Sequence, residues 1–241
     1  MKNENLQAII LAGGKGTRIK RINSALPKVL FPLAKKPLLD YLIDHLKKNG
    51  FNDIIICTGY LADKVKDYVS KTDYGIKIRT SREDTPLGAA GALHLIKDLL
   101  NDEFFVLYGD IYTTINLEKM LKFHKSKKAD VTIALHISDH PRDSTIVKID
   151  KSKKIVNFIE KPGDDWKQYG NLTATSLYIM KKSVLKFIAK NKTIDFAKDV
   201  FPKMLKNRGK LFGYITSEYA KDIGTPERYK KVEQYITLNK R

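Results

Sequence analysis

A turn bearing three glycines, Gly13, Gly14 and Gly16, follows the apolar run at 8–11, and basic side chains come at once: Lys15, Arg18, Lys20, Arg21, then Lys28 after Pro27. Such a turn can offer several backbone N–H groups to one anion, and glycine lets the main chain come close to phosphate. Arg18 adds a forked donor suited to two phosphate oxygens. Two familiar phosphate loops are excluded. A dinucleotide fingerprint on Gly14 and Gly16 needs a third glycine where Ile19 stands, and a Walker loop needs lysine where Thr17 follows Gly16. Asp110 follows a glycine at the end of an apolar run. A carboxylate there can share Mg2+ with substrate phosphates and water, although a turn or cap is its commoner use. Glu83 could accept the N1–H and N2–H of a guanine. The five histidines show no paired spacing that demands catalysis.

These groups need a scaffold, and the chain's patterning supplies one. Short β-type runs at 8–11, 54–56, 76–80 and 104–108 alternate with helical patterns at 38–46, 61–69 and 89–100. That alternation predicts an α/β fold, Rossmann-like, with a mostly parallel mixed sheet covered by helices on both faces. Ligands of such sheets bind outside the carboxyl ends of the strands. The second half changes character, with strand candidates at 131–137, 145–149, 155–160 and 175–180 joined by short polar links. It reads as an antiparallel extension. Helices are expected at 182–190, 196–207 and 226–238, with a strand at 211–215. Thr225 and Pro226 suit the N-cap and first position of the last helix.

Composition bounds the rest. The 241 residues suffice for one domain, 1–241, with a nucleotide half at about 1–115 and a second-substrate half at about 116–241. One cysteine, Cys57, excludes an internal disulfide framework. Apolar runs are too short for a membrane helix or a signal-peptide core, so a cytoplasmic location is expected. The net charge of +18 is concentrated at the ends: +6 over residues 1–60 and +10 over 181–241, against +2 between. It suits an anionic partner or merely solvated lysine faces, and the scarcity of arginine speaks against nucleic acid.

The run LAGGKGTR with Pro27-Lys28 resembles the signature of the sugar-1-phosphate nucleotidyltransferases. The similarity extends to Pro86–Ala92, to Tyr108-Gly109-Asp110, to Glu160-Lys161-Pro162 and to the DIGTPERY segment at 222–229. Several separated motifs in order are far more specific than any one of them. The resemblance implies transfer of a nucleoside monophosphate from an NTP to a sugar 1-phosphate, dependent on Mg2+ held by Asp110 and Asp222. It implies that Leu11, Ala12, Gly13, Gly14, Gly16, Thr17, Glu83, Pro86, Gly88 and Ala89 surround the nucleotide, with Arg18, Lys28 and Asp110 catalytic. It assigns Gly109, Glu160, Lys161, Asn171 and Thr175 to the sugar phosphate. The segment at 139–144 is similar to a subgroup that joins GTP to a heptose or mannose 1-phosphate. One departure stands out: where many relatives have Asn-Ala-Gly-Ile-Tyr, the asparagine falls on Ala174 and the glycine on Ser176. Alternatives are another base with another sugar phosphate or phosphorylated alcohol, and a non-catalytic binding module. Homo-oligomerisation is left open.

Overall fold

The computed structural model describes residues 5–19, 25–190 and 192–239. The chain forms two compact units. The first combines residues 1–86, 107–115 and 218–241, and the second combines 87–106 and 116–217. The fold is α/β and Rossmann-like.

In the first unit, Gln7–Ala12, Asp53–Thr58 and Lys77–Arg82 run parallel, in register from Gln7↔Asp53↔Lys77 to Ala12↔Thr58↔Arg82. Ile54, Ile55 and Ile56 are fully buried, as expected of a central parallel strand read as one apolar run. The helix Leu38–Lys48 buries Leu38, Leu39, Leu42, Ile43 and Leu46 along one face. Because the three strands end level, Gly13, Gly59 and Glu83 follow them side by side at the carboxyl edge.

The second unit holds Ile155–Glu160, Thr145–Ile149, Leu172–Lys181, Val131–Ile137 and Leu211–Ile215 in that spatial order. All neighbours are antiparallel except the last pair, which is parallel.

Three helical expectations change. The helix expected at 89–100 is Gly88–Leu95, and a 3-10 turn, Lys97–Leu99, follows. Ile96 leaves helical geometry there, and both Ile96 and Leu100 are buried. The segment at 182–190 is a 3-10 helix, Lys182–Phe187, tethered by Lys182 N–H to the Asp102 carbonyl at 2.7 Å. The segment at 196–207 divides into a π-turn, Phe196–Val200, and an α-helix, Phe201–Lys206. Pro202 has no N–H for the α ladder. Asp195 instead accepts from Ala197 N–H at 2.8 Å and Lys198 N–H at 3.1 Å. Among the features that escaped sequence reading are the helix Leu117–Lys127 and a pair of three-residue strands, Ile111–Thr113 and Ala220–Asp222.

The motif departure lands on a bulge. Pairing of Leu172–Lys181 with Val131–Ile137 shifts register between Ala174 and Tyr178, and Ser176 there sits at φ +62°. That left-handed conformation suits the glycine the family pattern has and strains a residue with a Cβ. Ser176→Gly is expected to stabilise the protein by roughly 0.5–1 kcal/mol and to raise the melting temperature by about 2 °C. A calorimetric melt that falls instead would show that the serine hydroxyl outweighs its backbone strain.

Candidate active site

The glycine loop leaves the strand Gln7–Ala12 at the carboxyl edge. Gly13 is half-buried beneath Glu83: a Cβ built on Gly13 would lie 2.5 Å from Glu83 Oε1, and one on Gly59 would lie 2.7 Å from it. A side chain at either position would have to push the Glu83 carboxylate aside. Glu83 itself is anchored by its N–H on the Thr58 carbonyl at 2.9 Å. Its carboxylate also contributes, after burial, to pushing the Cys57 thiol up to about 12, so Cys57 stays protonated and inert. Gly14, Thr17 and Arg18 are exposed, while Gly16 is half-buried and turns at φ +60°. The turn is closed by Ile19 N–H on the Gly16 carbonyl at 3.1 Å, and Ile19 is fully buried. Lys20 and Arg21 lie outside the described residues.

Lys28 opens a 3-10 turn, Lys28–Leu30, whose Val29 and Leu30 are buried. This sends the lysine the other way, onto Asp110 at 2.8 Å. Gly109 is buried, and its N–H donates to the Leu11 carbonyl at 2.8 Å, which holds Asp110 beside the glycine loop's strand.

Asp222 arrives by the long-range strand pair. Ala220–Asp222 runs antiparallel to Ile111–Thr113 with Asp222 opposite Ile111, and Ile223 N–H donates to the Asp110 carbonyl at 2.8 Å. The two aspartates are thus brought to adjacent positions from 112 residues apart. Asp222 Oδ1 accepts from Gly224 N–H at 2.7 Å, and both its oxygens face Arg228 Nη1 at 3.1 and 3.3 Å. Arg18 Nη2 comes within 3.6 Å of where a Gly224 Cβ would sit. Thr225 caps the helix Pro226–Leu238, as its sequence predicts, by accepting from Arg228 N–H at 3.3 Å. The same helix grips the chain after Lys28: Tyr229 donates to the Pro32 carbonyl, and Glu233 accepts from Ala34 N–H at 3.4 Å. One helix therefore steadies both Asp222 and the Lys28 segment.

Three cations, Arg18, Lys28 and Arg228, with two carboxylates and a glycine turn at strand carboxyl ends have the chemistry to hold a polyphosphate and a cation together. Residues 7–239 match the family described as Nucleotidyl transferase. The chain belongs to the nucleotidyl transferase family.

Among its relatives is the D-glycero-alpha-D-manno-heptose 1-phosphate guanylyltransferase of Aneurinibacillus thermoaerophilus, 31% identical over 96% of this chain and 98% of that one. Another is the mannose-1-phosphate guanylyltransferase of Mycobacterium tuberculosis, 30% identical over 95% of this chain, which spans 64% of that protein. The crystal structure of HddC from Yersinia pseudotuberculosis complexed with GMP-PN superposes with a TM-score of 0.81 at 27% identity, covering 96% of this chain and 99% of that one.

Two hard carboxylates on neighbouring strands suit Mg2+, which takes one or two carboxylates and leaves its other positions to phosphates and water. No group of three His, Cys, Asp or Glu side chains that could cage a metal exists among the described residues. The chemistry of Asp110 and Asp222 fits an ion that takes its remaining ligands from substrate and water.

Of the remaining expected residues, Pro86 belongs to the first unit and Gly88, Ala89, Glu160, Lys161, Asn171 and Thr175 to the second. Pro86 is exposed at the end of the first unit's segment. Gly88 and the neighbouring Ala89 begin the helix Gly88–Leu95, but Gly88 serves the fold: a Cβ there would lie 2.6 Å from the Ile194 carbonyl oxygen. Ile194 bridges both ways, donating to the Leu87 carbonyl at 2.8 Å and accepting from Ala90 N–H at 3.0 Å. The glycines thus permit a close approach of the protein's own backbone. In the second unit, Glu160 Oε1 lies 3.2 Å from Lys198 Nζ and 3.8 Å from Lys161 Nζ. Asn171 offers its carbonyl to Ser138 N–H at 2.9 Å. Thr175 is buried, with its hydroxyl donating to the Ala134 carbonyl at 3.2 Å. Arg228 and Lys198 were not singled out in the sequence, where each reads as an ordinary helix residue. The ring nitrogens of four histidines meet local partners: His45 the Ile115 carbonyl, His94 the Ile188 carbonyl, His124 Thr132 and Glu103, and His140 Asp139.

Proposed function

We propose that this nucleotidyltransferase moves a guanylyl group from GTP to a sugar 1-phosphate, D-glycero-α-D-manno-heptose 1-phosphate or mannose 1-phosphate, releasing pyrophosphate. The observation that carries the reading is the convergence of Lys28–Asp110 and Arg228–Asp222 beside the glycine loop, in a chain similar to guanylyltransferases of both sugars. The first unit's loop and Glu83 serve the nucleotide, and Glu160 and Lys161 of the second serve the sugar phosphate.

The sugar phosphate's oxygen attacks the α-phosphorus in line as pyrophosphate leaves. A phosphate monoester, with a second pKa of about 6, is already largely ionised at neutral pH, so no general base is needed. Arg18 and Lys28 neutralise the triphosphate where charge accumulates. Glycine-loop N–H groups orient it. Magnesium on Asp110 and Asp222 would supply further neutralisation of the phosphates.

Glu83 is assigned to the base, as an acceptor for guanine N1–H and N2–H. Glu83→Gln is then expected to lower the preference for GTP over UTP by about tenfold or more, since an amide cannot accept both hydrogens. Unchanged discrimination among GTP, UTP, CTP and dTTP would refute the assignment. The function itself is tested by a pyrophosphate-release matrix of those NTPs against heptose, mannose, glucose and N-acetylglucosamine 1-phosphates with Mg2+. Turnover should be greatest with GTP and a manno-configured sugar. No release in any combination would refute it.

A further inference from the structure

We propose that Arg228 is the counter-ion that holds Asp222 before nucleotide binds and, with Lys28 on Asp110, keeps the free protein from taking up a divalent cation ahead of the triphosphate. The inference rests on the metal reading of Asp110 and Asp222 given above.

Arg228 stands where a helix does not favour an arginine. It lies in the first turn of Pro226–Leu238, where the positive end of the helix dipole prefers acidic side chains. Asp222 offsets that: its two oxygens lie 3.1 and 3.3 Å from Nη1. Both side chains are partly exposed, at 14% and 27%, as the Lys28–Asp110 pair is, so solvent screens the attraction in part. Thr225, Tyr229 and Glu233 fix the helix through contacts of their own, so Arg228 is delivered to the carboxylate by a rigid element. Asp222 also accepts from Gly224 N–H and has Arg18 nearby. The Lys28–Asp110 pair is the same device on the opposing strand.

Each carboxylate thus carries its own cation. A bare divalent ion therefore competes with a cation already seated on each carboxylate. A triphosphate changes the balance, because its oxygens offer the guanidinium and the ammonium anionic partners of equal or greater charge. Arg228 is therefore a positioning residue that links cation uptake to nucleotide.

The test titrates Mn2+ against the nucleotide-free full chain, followed by electron paramagnetic resonance. Arg228→Gln should bind Mn2+ about tenfold more tightly than wild type. Arg228→Lys, which keeps the charge without the fork, should stay near wild type. Adding Asp222→Asn to Arg228→Gln should erase the gain. Equal affinity in wild type and Arg228→Gln overturns the proposal, as does a gain that survives loss of Asp222. Arg228→Met is the second neutral variant should the glutamine protein fail to fold. Wild-type pyrophosphate release is measured alongside. Its absence with every substrate pair would refute the activity, whereas unchanged Mn2+ affinity in an active enzyme overturns only the counter-ion role.

Discussion

Asp110→Asn is expected to lower pyrophosphate release by about three orders of magnitude with the fold intact. The substitution is isosteric. It leaves the Asp110 carbonyl to receive Ile223 N–H, so the Ile111–Thr113 and Ala220–Asp222 pairing persists. What it removes is one negative charge facing Lys28 and the phosphates. The stability effect should be small, about 1 kcal/mol, because a partly exposed ion pair contributes little. The catalytic effect should be large, because on the proposed mechanism the same charge organises cations around a triphosphate. Steady-state release measured beside a thermal melt separates the two. Near-normal turnover from a folded Asp110→Asn protein would refute the metal role.

Much of this arrangement is legible in the sequence, and the physical reasons for the exceptions are specific. The parallel strands announce themselves because burial on both faces leaves continuous apolar runs such as Ile54-Ile55-Ile56. The last helix is read to the residue because Thr225 and Pro226 mark its start chemically. The strand that delivers Asp222 is three residues long, and its partner lies more than a hundred residues away. Nothing local encodes that pairing, so Asp222 is found only through its resemblance to a motif. Arg228 is missed for the same reason, since its role exists only once Asp222 is beside it. Gly88 is a different lesson. A glycine-rich helix start suggests a ligand, and here the same glycine is also required by the Ile194 backbone, which a Cβ would meet. The helix Leu117–Lys127, by contrast, is missed although its signal is local: Leu117, Met120, Leu121 and His124 keep a helical spacing behind an Asn116 cap.

Lys28→Met should reduce pyrophosphate release by about 10²–10³-fold, comparable to removing one preorganised donor from a developing anion. Alone, this result is ambiguous, because the lysine also neutralises Asp110. The ambiguity is resolved by exchanging the charges. In the double variant Lys28→Asp with Asp110→Lys, opposite charges still face each other and the melting temperature should lie closer to wild type than that of either single variant. If the pair were only structural, activity would return with it. The expected result is the reverse: stability partly recovers while turnover stays as low as in the worse single variant. On the proposed mechanism the loop side requires a cation, to meet the triphosphate beside Arg18 and the glycine N–H groups, and the strand side requires an anion next to Asp222. An exchanged pair with restored turnover would show that Lys28 acts on Asp110 and not on the phosphates.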